Sequence, residues 1–149
     1  MTTKLTAEAE KLSQEKHLTI TQAMEVSGRL ERFRRALSSE NDLFLMLAEK
    51  GPFTVFGPQD SAFKQVYDEL MRNKEQLIQV LKNHIVRGEY SIEQMKTIDS
   101  LTTLDGKTLT VKYMKTPMEH VEIDGAAIIL PNIRCSNGML HEIDKVLMP

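Results

Sequence analysis

In the first half of the chain, apolar residues recur at helical intervals. Ala23, Val26, Leu30, Phe33 and Leu37 are spaced alternately by three and four, which predicts a single amphipathic helix beginning at Thr19. Gly28 costs that helix some stability, and Ser38-Ser39 with Asn41-Asp42 offers an end and a new cap. A second short helix is expected to bury Leu43, Phe44 and Leu47 and to stop at Gly51-Pro52. The short apolar run Phe53-Thr-Val-Phe56 reads as a strand that passes through Gly57-Pro58 into another helix. There Ala62, Phe63, Val66, Tyr67, Leu70 and Met71 form a buried stripe, with Asp60 at the expected N-cap. Asn73-Lys-Glu-Gln76 has capping-box spacing and leads into a helix with Leu77, Ile78, Leu81, His84 and Ile85 on one side. Ser91-Ile-Glu-Gln94 repeats the signal.

After residue 100 the period changes to two. Leu101 to Leu104, Asp105-Gly106 and Lys107 to Tyr113 predict a hairpin with Leu109, Val111 and Tyr113 on one face. Val121 and Ile123 resume the alternation before a second Asp-Gly turn at Asp124-Gly125. Ala126 to Leu130 reads as a buried strand ended by Pro131, and Ser136-Asn137-Gly138 turns into a last strand from Met139 to Met148. A helical half followed by a run of strands predicts an α+β domain. Residues 1–17 are polar, with only Leu5 and Leu12 as apolar anchors. They are expected to form a loose or partly helical extension ahead of one domain over 18–149.

Composition narrows the function classes. The 149 residues are 41% hydrophobic and 27% charged, enough for one domain with a real core. Lys and Arg total 19 against 21 Asp and Glu, so no global field draws nucleic acid or an acidic membrane. The single cysteine, Cys135, excludes an intramolecular disulfide, which fits a reducing compartment. No stretch has the apolar core of a signal peptide or the ~18 apolar residues of a membrane span. As written, the chain is expected to be soluble and unexported, hence cytoplasmic if its start is native.

Asp60, Ser61, His84 and His141 contain the ingredients of a nucleophile, a base and an orienting carboxylate. Each also has a structural reason to exist. Asp60 can cap, Ser61 is ordinary in a first helical turn, His84 falls on an apolar face, and His141 shares strand parity with Ile143. His17, His84, His120, His141 and Cys135 show no pair at the usual zinc spacings, and the isolated Gly51, Gly57 and Gly88 make no phosphate-cradling loop. No catalytic, cofactor-binding or metal-ligating residue is therefore expected. Arg29, Arg32, Arg34 and Arg35 concentrate positive charge within two turns, with Arg29, Arg32 and Arg35 expected in one row on a helix face. That row is a candidate surface for an acidic partner, set against the plainer reading of a solvated face partly neutralised by Glu25, Glu31 and Glu40. Met114, Met118, Met139 and Met148 are expected mostly in the core.

Three stretches, in order and spacing, resemble the fasciclin (FAS1) domain. They are Gly51-Pro52-Phe-Thr-Val-Phe-Gly-Pro58 followed by Asp60-Ser-Ala-Phe63; Leu81-Lys-Asn-His84-Ile-Val-Arg-Gly88; and Ser136-Asn-Gly-Met-Leu-His-Glu-Ile-Asp-Lys-Val-Leu-Met-Pro149. The resemblance runs from about Ile20 to Pro149. It implies a β-wedge or sandwich of about seven strands with N-terminal and flanking helices. It also implies a non-enzymatic role in protein binding or adhesion, a protein or glycan partner, and by family habit a place outside the cell. Thr54, Pro58, Asp60, Ala62, Phe63, His84, Asn137, Gly138, His141, Asp144 and Pro149 then become structural signature positions. Animal matrix members carry an acidic Glu-Pro-Asp-Ile motif; the matching Leu130-Pro131-Asn132-Ile133 keeps Pro131 and Ile133 and loses both acids. A neutral Asn132 amide is a poor partner for an integrin-bound cation. Asn83 also replaces the tyrosine of the family's Tyr-His motif. The integrin-type motifs are thus largely absent, while Pro131, Asn132 and Ile133 remain candidate partner-binding positions.

Overall fold

The structure is a computed structural model that describes residues 18–116 and 118–149. The polar extension expected over 1–17 lies outside the described residues. Among the described residues, seven helices precede or interrupt the strands: α1 (Ile20–Ser27), α2 (Glu31–Ser39), α3 (Asn41–Glu49), α4 (Asp60–Phe63), α5 (Tyr67–Met71), α6 (Lys74–Lys82) and α7 (Ile92–Met95). The seven strands are β1 (Phe53–Pro58), β2 (Ile85–Arg87), β3 (Ser100–Thr102), β4 (Thr108–Met114), β5 (His120–Ile123), β6 (Ala126–Cys135) and β7 (Gly138–Ile143). They form one sheet in the order β2-β1-β7-β6-β5-β4-β3. A bridge between Val86 and Thr103, with Leu104 N–H donating to the Ile85 carbonyl, brings its two ends together into a near-barrel. This is the expected α+β architecture.

Two apolar clusters divide the interior. One joins the helices to the sheet through Phe33, Leu37, Leu47, Phe63, Leu81, Val55 and Leu140; the other lies within the curled sheet around Phe56, Leu109, Val121, Ile128 and Ile143. β1 and β7 run parallel in register, Phe56 beside His141, and all six residues of each are buried. These two central strands therefore present side chains to both clusters.

Several expected boundaries shift. The first predicted helix is two, because Gly28 adopts φ +73° as a left-handed C-cap and ends α1. Val26, placed in the core by periodicity, is consequently 53% exposed, while Leu30 is fully buried at the start of α2. Ser38 and Ser39 do not cap α3; their hydroxyls donate back to the Arg35 and Ala36 carbonyls, and Glu40 stands at the junction. The stripe from Ala62 to Met71 likewise breaks into α4 and α5 at Val66. Pro131 does not end β6, which continues to Cys135 through register shifts between Ile128 and Ile133. A bulge places the missing proline N–H at an irregular position in the ladder. The last strand stops at Ile143, well before Met148. Of the four methionines expected mostly inside, only Met139 is buried, and Met118 and Met148 are exposed.

Candidate functional site

Gln59, in the strand-to-helix corner after β1, belongs to a buried knot. Glu142, on β7, is fully buried and its carboxylate accepts four bonds: Ser27 Oγ at 2.8 Å, Arg29 Nε at 2.9 Å, Arg29 Nη2 at 3.1 Å and Gln59 Nε2 at 2.8 Å. The Arg29 pairing is bidentate, the strongest geometry for a guanidinium and a carboxylate. Asp60 adjoins this knot. Its backbone N–H donates to the Arg29 carbonyl at 2.8 Å, and its Oδ1 accepts from the Arg32 N–H at 2.8 Å. Asp60 therefore does not cap its own helix, where Gln59 holds the N-cap position; it closes the first turn of α2, whose own N-cap Leu30 has no side-chain acceptor. The corner fastens the α1–α2 connection to β7.

His84 and His141 are fully buried in different surroundings. The His84 ring lies 5.4 Å from the Phe33 ring in the helix-side cluster, whereas the His141 ring stacks on Phe56 at 5.8 Å in the sheet cluster. His84 Nδ1–H donates to the Val80 carbonyl at 2.7 Å, and Nε2 accepts from the Leu147 N–H at 2.9 Å. His141 has the opposite tautomer: Nε2–H donates to the Tyr90 carbonyl at 2.8 Å, and Nδ1 accepts from the Asn132 N–H at 3.0 Å. Burial pushes both imidazolium pKa values down to about 4, so both rings are neutral near pH 7. Every ring nitrogen is already bound to backbone. Neither histidine bonds to Asp60 or to the exposed Ser61, so the four residues do not make an acid–base constellation.

Most of the remaining signature positions also carry framework contacts, Ala62 and Pro149 excepted. Thr54 Oγ1 donates to the Gly88 carbonyl and accepts from the Tyr90 N–H. Asn137 accepts from Ile20 N–H and donates to the Leu47 and Lys50 carbonyls, joining α1 and the end of α3 to the β6–β7 turn. At Gly138 (φ +153°) an added Cβ would collide with the Phe53 carbonyl of the parallel neighbour. Asp144 accepts from the Ala127 N–H, Phe63 is fully buried beside Phe33, Pro58 ends the buried β1, Ala62 is half-buried and Pro149 is exposed.

Among the candidate partner-binding residues, Ile133 is fully buried and is corrected to a core position. Asn132 adopts φ +59°; its side chain accepts from the Ile92 N–H and donates to Glu93, so it holds α7 against β6. Pro131 is half-buried. Arg29 lies in the α1–α2 connection, outside the expected helical row, and is committed to Glu142. Arg32 and Arg35 remain on α2, with Arg35 in an exposed pair with Glu31. Glu142, Ser27 and Gln59 were not singled out by pattern; the only sequence signal is an acid set between His141 and Ile143 in a strand that proves to be covered on both faces. Among the described residues no group of His, Cys, Asp and Glu is arranged to hold a metal ion, and no helix is long and apolar enough to cross a membrane.

The profile of the Fasciclin domain matches residues 28–149. The chain belongs to the fasciclin domain family. It is 30% identical over 159 aligned positions to Protein sll1483 of Synechocystis sp., covering 96% of this chain and 86% of that one. It is also 30% identical to the transforming growth factor-beta-induced protein ig-h3 of Sus scrofa, covering 87% of this chain but only 19% of that larger protein. Among solved structures, a FAS1 domain pair from the insect cell adhesion molecule fasciclin I superposes with a TM-score of 0.70 at 15% identity. That match covers 90% of this chain and 52% of the other, and it establishes the fold.

Proposed function

We infer that this fasciclin domain is a non-enzymatic binding module with an adhesive role, whose partner is a protein or a glycan. The observation that carries the reading is the commitment of both candidate histidines to framework bonds. His84 and His141 each spend both ring nitrogens on backbone groups, and Asp60 gives its Oδ1 to the α2 backbone. A hydrolytic role for Asp60, Ser61, His84 and His141 finds no support in that arrangement, since general-base work needs an acceptor within reach of substrate. Kinship with adhesion-related fasciclin proteins supports the same reading. Arg32 and Arg35, on the open side of α2, are candidates for part of the contact surface.

The test is saturable binding of the purified labelled chain to intact cells of its source and to their extracted surface proteins and glycans, beside a broad screen for hydrolytic turnover. Saturable binding without turnover is expected. Turnover abolished by His84→Gln or His141→Gln in a protein that stays folded would overturn the reading.

A further inference from the structure

Two clefts flank α3 and share Asp42, Met46 and Arg87, so they meet along one face of the molecule. The cleft toward α6 has a volume of about 630 Å³ and an ordered wall. Lys74, Ile78 and Lys82 all line it, and they stand at i, i+4 and i+8 of α6, in one row along the helix. Arg87, exposed at the end of β2, faces the same space, and Leu43 and Met46 contribute apolar surface from α3. Among the described residues no ion pair holds Lys74, Lys82 or Arg87. Glu40 and Asp42 also line the cleft from the start of α3, so its wall carries three cations, Lys74, Lys82 and Arg87, against two acids.

The spacing of the α6 row selects a ligand. Four helical residues rise about 6 Å, so the two ammonium groups are rooted about 12 Å apart with Ile78 midway. Alternate residues of an extended peptide repeat about every 6.6 Å on one face. A strand carrying acid, apolar and acid side chains at i, i+2 and i+4 matches that row in both spacing and character.

We propose that the α3–α6 cleft binds an extended acidic peptide segment of a partner protein, with carboxylates on Lys74 and Lys82 and an apolar side chain on Ile78. Arg87 supplies a further cation for a flanking acid or the peptide's terminal carboxylate. The proposal rests on the binding-module reading and names the partner chemistry of one surface.

The experiment measures fluorescence anisotropy of a labelled Glu-Thr-Val-Thr-Glu peptide with the full chain at low and physiological salt. Controls are a scrambled Val-Glu-Glu-Thr-Thr peptide, the Gln-Thr-Val-Thr-Gln analogue and polygalacturonate as a competitor. The spaced peptide is expected to bind at least tenfold tighter than both peptide controls, to weaken with salt, and to lose at least tenfold with Lys74→Glu and with Lys82→Glu. The exposed Lys112→Glu on β4 is expected to leave it unchanged. Equal binding of spaced and scrambled peptides, no binding, or displacement by polygalacturonate at matched carboxylate concentration would overturn the proposal. Circular dichroism of each variant excludes misfolding as the cause of loss. If Lys74→Glu and Lys82→Glu leave peptide binding intact, this cleft is the wrong site; if these variants still bind cells as the native chain does, the module reading stands without it.

Discussion

Asp60 and Arg32 are 28 residues apart in sequence, yet the Asp60 carboxylate receives the Arg32 backbone N–H at 2.8 Å. A residue opening one helix thereby satisfies the exposed N-terminal turn of another. Asp60→Ala is expected to cost about 1 kcal/mol, the usual scale for a lost cap, with Asp60→Asn recovering most of it because an acceptor oxygen remains. Urea denaturation of the two variants measures this; an Asp60→Ala protein as stable as the parent would contradict the capping role.

Glu142 has no exposed surface, and its counter-ion Arg29 keeps 28% of its side chain exposed. Removing Arg29 leaves a buried carboxylate without its main partner. Arg29→Ala is expected to destabilise by about 3 kcal/mol, at the lower end for a broken buried pair because water can still approach from the Arg29 side. Arg35→Ala, which loses only the exposed pair with Glu31, should change little. Chemical denaturation of both variants separates these outcomes.

The two buried histidines make stability depend on pH in a fixed direction. Their folded pKa values are depressed from 6.5 to about 4, so the unfolded chain binds more protons between those values. Stability is therefore fully present above pH 6.5 and is lost as pH falls toward 4, on the order of 3 kcal/mol per histidine at the limit. His120 has the opposite tendency: hydrogen bonds to the Met118 carbonyl and to Glu122 raise its pKa, and it sits near the surface. Denaturation midpoints should hold from pH 7.5 to about 6.5 and fall from there to pH 4.5. A flat profile would mean the rings are not held neutral.

Phe63 is fully buried, 6.1 Å from Phe33 and 5.8 Å from Tyr67 between ring centroids. Phe63→Ala should cost ~3–5 kcal/mol through the cavity it leaves, and Phe63→Leu clearly less. Thermal melts of both variants test the ranking.

Fold class and family were legible because period, turn residues and the two end signatures agree along the chain; the strand number came with the resemblance, since periodicity carries Ile85 into a helix that ends at Lys82 and hides β2. Breaks were harder to read. Gly28 could be a tolerated weakness within a helix or its left-handed end, and periodicity runs smoothly across it, carrying Val26 to the wrong side and Arg29 into a row it never joins. The Asp60 misassignment has the same origin: an acid before Ala-Phe looks like a local cap, and only the approach of α2 reveals that its acceptor is spent elsewhere. Glu142 was hidden because alternation assumes one solvated face, and β7 has none. Ile133 is core for a related reason: Pro131 reads as the end of a strand, whereas β6 continues through its register shifts to Cys135 and carries Ile133 inside.

The central claim is that the histidines are framework. Long-range nitrogen–proton NMR of the two imidazoles across pH 5 to 8 tests it most directly. The account predicts that both rings stay neutral throughout, His84 protonated at Nδ1 and His141 at Nε2. A ring that titrates near pH 6.5, or a tautomer that leaves a nitrogen free, would contradict it and return that histidine to the list of catalytic candidates.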